Sequence, residues 1–232
     1  MKKSTLLLLC LLTAVATLSS QKRERITVKG SEANSYCYIE PEFTEGTIIM
    51  NDGRTLRANI NFNLYTCQMQ FIEPKEGAIL DIGNTDALVM ISLGERKFYY
   101  IDGHYLVYLT NTTTPMLAAT PHIVIANAMN EGPFGTTKNE SASHSMGSLQ
   151  NQSGANMSLS STREYTLERN NFYFFVDNGK AVKAGRRALL KLLPKHKNAI
   201  QQYIDSHKTD FEDEACLKEL LEYCTQLSTQ PK

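Results

Sequence analysis

The sequence predicts an α+β protein, an antiparallel β sandwich or partial barrel followed by a small C-terminal three-helix segment. Three observations carry this. From about residue 35 to 126, short apolar stretches alternate with polar residues in period two and are separated by Gly- and Asp-rich turns. The last fifty residues instead place Leu, Ile and Tyr at helical spacing. Between them, no alternation of strand and helix suggests a parallel sheet.

The chain opens Met1-Lys2-Lys3-Ser4-Thr5 and then runs apolar from Leu6 to Leu18. Two lysines, a short apolar run and small residues are the order of a secretory signal peptide, expected over residues 1–20 with cleavage near Ser20. The run falls short of the roughly 20 residues a spanning helix needs, and no later run reaches that length. Cys10 follows Leu7-Leu8-Leu9, whereas a lipidated cysteine follows small residues. The expected address is therefore outside the cytoplasm, in the periplasm or at the outer membrane, with no transmembrane span after signal removal.

Residues 21–126 are expected to form the antiparallel β domain. Gly46 to Met50 reads as a strand entering the turn Asn51-Asp52-Gly53-Arg54. Leu56, Ala58, Ile60, Phe62 and Leu64 then share one parity, and Arg57, Asn59, Asn61 and Asn63 the other, which predicts a strand with one wet face. Cys67, Met69 and Phe71 continue the inward set. Ala87–Leu93, Lys97–Ile101 and His104–Leu109 follow as strands, and His122–Ala126 as a short one. Residues 127–164 change character. From Gly135 to Thr162 the composition is mostly Ser, Thr, Asn, Gly and Gln, with scattered Met146, Leu149, Met157 and Leu159, too polar to offset chain entropy, so a flexible loop is expected. Residues 165–184 return to strand as a hairpin around Asp177-Asn178-Gly179, completing the sheet.

Residues 185–232 are expected to be helical. A first helix covers Arg186 to Leu193, and Pro194 opens the next. Thr209 and Glu212 have capping-box spacing for a third helix, with Asp210 as a competing cap. Leu217, Leu220, Leu221, Cys224 and Leu227 recur at helical spacing and read as core.

Composition narrows the function. Lys plus Arg equal Asp plus Glu at 24 each, and loss of Lys2 and Lys3 leaves the mature chain near −2. Such a chain has no overall charge for gripping nucleic acid. A local exception is the basic cluster Lys180, Lys183, Arg186, Arg187, Lys191, Lys195, His196 and Lys197. It reads either as a solvated face balanced by the later acids or as a contact for an anionic envelope component. Four cysteines follow the signal. Cys37 and Cys67 are open to pairing or to burial as free thiols, whereas Cys216 and Cys224 on one helix would lie about 12 Å apart along its axis.

No catalytic, cofactor or metal residue is assigned. His104, His122, His144, His196 and His207 lack ligand spacing, and His144-Ser145-Met146 with Met129 and Met157 is a weak copper pattern. No Gly-x-Ser-x-Gly occurs. Asp81, Asn84 and Asp86 lack the spacing of a calcium loop, and Glu40 and Glu42 flank Pro41 in an exposed bend. The sequons at Asn111, Asn139, Asn151 and Asn156 read as composition in a chain with a bacterial-looking start.

The stretches Asn61–Tyr65, Met69–Ile72, Arg96–Tyr100 and Leu189–Lys197, with Ile200–Ile204, Asp210-Phe211 and the final helix, resemble a group of envelope proteins of the Bacteroidetes that have no assigned activity. The resemblance implies a periplasmic or outer-membrane-associated place and a β-then-helical build, and it brings no functional residues. The expected function is that of a non-catalytic exported envelope protein binding another envelope component. The alternative is an envelope enzyme, hydrolase-like, whose residues meet only in three dimensions.

Overall fold

A computed structural model describes residues 24–29, 32–131, 137–140 and 163–229. The expected signal peptide and its cleavage site lie outside these. The described chain runs β1 (Glu24–Lys29), α1 (Glu32–Tyr36), β2 (Thr44–Met50), β3 (Thr55–Asn63), β4 (Gln68–Ile72), β5 (Ile79–Asp81), β6 (Leu88–Leu93), β7 (Arg96–Ile101), β8 (His104–Tyr108), β9 (Met116–Glu131), β10 (Thr137–Glu140), β11 (Arg163–Asp177), β12 (Lys180–Lys183), α2 (Arg186–Leu192), α3 (Lys197–His207) and α4 (Glu214–Thr229).

The strands form one antiparallel sheet in the order β1-β11-β9-β8-β7-β6-β2-β3-β4-β5, with β10 on β9 and β12 on β11. The predicted partial barrel followed by helices is the architecture found. The sheet curls until the turn after β3 reaches β9, where Ile123 N donates to Leu64 O at 2.9 Å. Inside the roll, Ile60, Phe62, Met69, Ile91, Leu93 and Phe98 are fully buried. Phe62 stacks on Phe98 with centroids 4.9 Å apart.

β9 and β11 are long because each serves two cores. Odd-numbered Ile123, Tyr165 and Leu167 face the interior of the roll. Further along the same face, Leu117, Ala119, Tyr173 and Phe175 pack against the helices through Leu189, Ile200, Ile204, Leu217, Leu220, Leu221 and Cys224. Each buried leucine of this layer contributes roughly 1.5–3 kcal/mol through apolar area removed from water.

Several expectations need correction. The polar face of β3 is not uniformly wet: Asn61 and Asn63 are buried, while Leu56 at the strand's start is 47 % exposed. Burial is possible because the side chains bond the neighbouring backbone. Asn61 Nδ2 donates to Glu40 O and Glu42 O, and Asn63 Oδ1 accepts from Tyr65 N and Thr66 N. The short strand expected at His122–Ala126 is the middle of β9. Of the loop expected over 127–164, residues 127–131, 137–140 and 163–164 are strand; 132–136 and 141–162 lie outside the described residues. α4 starts at Glu214, and its cap is Asp213, whose Oδ1 accepts from Cys216 N at 2.8 Å, not Thr209 or Asp210. Asp210 instead accepts from Glu212 N within the preceding turn. Pro194 opens a short 3-10 turn before α3. Cys37, Cys67, Cys216 and Cys224 are all free thiols.

Candidate functional site

The two cores leave a seam on the shared face of β9 and β11, and the seam is a cleft. β8 pairs with β9 only at Val107↔Ala119 and Tyr108↔Ala118. The next backbone bond on that side of β9 is from Ile123 to Leu64. Pro121 sits in the gap between. Proline has no N–H to donate, so a strand accepts it where no partner strand is waiting. The opening has a volume of about 390 Å³. Its lining includes Ile39, Leu64, Val107, Leu109, Ala119 and Pro121 as an apolar wall.

The polar part of the lining comes from the strand ends that meet at the seam: Glu24, Arg96, His122, Arg169, Asn170 and Asn171, with Tyr173 beside them. Arg96 pairs with Glu40. Arg169 is held through its Nη2, which donates to Tyr38 O at 3.3 Å. Its Nε is buried without a hydrogen-bond partner. No ion pair of Arg169 exists among the described residues, although Glu24 is its register neighbour on β1. Arg169 is half-buried, and its guanidinium brings positive charge to the lining of the cleft, where an anionic group would complement it. Burial raises the Tyr173 phenol above its ordinary value, and a hydrogen bond from Asn171 opposes the rise.

The residues weighed from sequence are dispersed. His104 packs on Phe174 at 4.6 Å, and burial lowers its pKa against the pull of Asp102. His122 stacks flat on Phe172, and His207 on Tyr203. His196 lies in the 3-10 turn, and His144 is outside the described residues. Asp81 accepts from Gln70 on the neighbouring strand, and Asn84 is a left-handed turn residue. Among the described residues, no group of three or more His, Cys, Asp or Glu is placed to hold a metal ion. Burial pushes the Cys37 thiol up to about 11 and Cys67 to about 12, values that keep both inert at neutral pH. The Lys and Arg of the basic cluster are exposed on β12, α2, the turn beyond and the first residue of α3, and His196 is half-buried.

Sequence reading passed over the cleft. The signal that pointed to it was Pro121 at the head of the apolar run His122–Ala126, since a proline inside an interior strand marks a break in its ladder. Arg169 carried no such signal, because its place in the cleft without an ion pair among the described residues exists only in three dimensions. In comparisons with known proteins, no protein-family model, no curated protein and no solved structure matches this chain.

Proposed function

We propose that this is a non-catalytic exported protein of the cell envelope, in the periplasm or at the outer membrane, that binds another envelope component in the cleft. The export signal read at residues 1–20 and the resemblance to envelope proteins of the Bacteroidetes support the location. One observation supports the binding role. At the ladder gap of Pro121, an apolar wall meets Arg169, a half-buried guanidinium with no ion pair among the described residues. That combination suits an occupant with an apolar body and an acceptor group, the common chemistry of ligand clefts.

The test is a photo-cross-linking residue in place of Leu109, used in the intact source cell. Capture of one abundant envelope component, lost when Arg169 is changed to Gln, is the expected result. Capture at Leu109 no different from that at exposed Lys208, at the C-terminal end of α3, would overturn the reading.

A further inference from the structure

We propose that the cationic end of the molecule, formed by β12, α2 and the turn into α3, docks on the surface of an anionic lipid bilayer. From Lys180 to Lys197 the chain carries seven Lys and Arg and not one Asp or Glu. All seven are exposed. Among the described residues, only Arg186 of these is in an ion pair, with Asp205 at 2.7 Å. Lys183 lies over the Phe172 ring at 5.9 Å.

The acids beside this segment are few. Asp177 is the register partner of Lys180, Asp102 accepts from Ala181 N, and Asp205 holds Arg186. Set against seven cations, these three leave a clear positive excess. The other acids of the tail are Asp210, Glu212 and Asp213 in the turn before α4 and Glu214, Glu219 and Glu222 on it, so charge is segregated along a chain whose formal total is zero. Segregation of this kind orients a protein in a field that total charge alone would not produce.

The form of the patch favours a membrane over a discrete anion. A single phosphate or carboxylate is recognised by donors that converge on one point. Here the cations are spread over an edge strand, a helix and a turn, each on a long flexible stem. Val182, between Lys180 and Lys183, is 37 % exposed, offering an apolar contact among the charges. Clusters of four to eight Lys or Arg interact with anionic lipid at about fivefold in partitioning per cation, and salt screens the attraction. None of the seven lines the cleft, so this surface and the cleft stand or fall separately.

The experiment is sedimentation of the chain from Gln21 onward, which contains every described residue, with vesicles of phosphatidylcholine alone or mixed with phosphatidylglycerol. Binding to the mixed vesicles only, released by added salt, is expected. Lys191→Gln and Lys195→Gln should each weaken it about fivefold and leave melting unchanged, since both side chains are exposed. Failure to bind mixed vesicles, equal binding to both kinds, or full binding by the double variant would overturn the proposal. So would exclusive binding to a soluble acidic polysaccharide added in competition.

Discussion

Gly46 occupies the middle of β2, between β3 and β6, and its replacement by alanine tests the packing inside the roll. A Cβ on Gly46 would lie 2.2 Å from Ile60 Cδ1, 2.5 Å from Ile60 Cγ1 and 2.8 Å from the carbonyl oxygen of Ser92. Ile60 is fully buried, so its end cannot swing into solvent. The Ser92 oxygen belongs to the paired backbone of β6 and can move only with its strand. Alanine would stabilise by about 0.4–1 kcal/mol through reduced freedom of the unfolded chain. Overpacking costs about 1–3 kcal/mol, so the clash wins. For a domain of this size the net loss, up to about 2.6 kcal/mol, corresponds to a fall in Tm of up to roughly 10 °C. Thermal and urea unfolding of Gly46→Ala would measure it. Pairing the change with Ile60→Val makes room at Cδ1, so the double variant should lose less than the sum of its parts. The Ser92 contact remains, so rescue should be partial. An unchanged Tm for Gly46→Ala, or strict additivity with Ile60→Val, would refute the reasoning.

Leu220→Ala should destabilise by roughly 2–5 kcal/mol in denaturant melts, because Leu220 is fully buried between α4 and the sheet. Asn61→Ala should cost about 1–3 kcal/mol by orphaning the backbone groups of Glu40 and Glu42, and proteolysis should then open the segment before β2 first. Cys37 and Cys67 should resist iodoacetamide at pH 8 in the native protein and react in urea, as burial holds both thiols protonated. The Cys37 thiol is raised from 9.0 to about 11 in the fold, so unfolded chains release its proton first. Its contribution to stability is complete below pH 9 and is lost as pH rises toward 11, a decline that Cys37→Ala should reduce in pH-dependent melts.

The sequence alone determined the class of the fold and the alternation that builds it. Period-two runs around Ile60, Phe62 and Met69 and the helical stripe Leu217, Leu220, Leu221 and Cys224 are local patterns, and local patterns report which side of an element meets apolar neighbours. The hairpin at Asp177-Asn178-Gly179 was equally legible, because its turn needs residues that tolerate positive φ, and Asn178 and Gly179 adopt it. Tertiary structure decided the rest. The burial of Asn61 depends on a backbone segment some twenty residues earlier that crosses its face, and Asn63 is satisfied by the turn that follows it. The length of β9 was hidden because its two ends serve different cores and Pro121 interrupts its pattern. The cap at Asp213 prevailed over Thr209 because packing of α4 against the sheet fixes where the helix can begin. The cleft, finally, exists only because one sheet face carries two cores that do not quite meet, and no spacing within β9 or β11 records that gap.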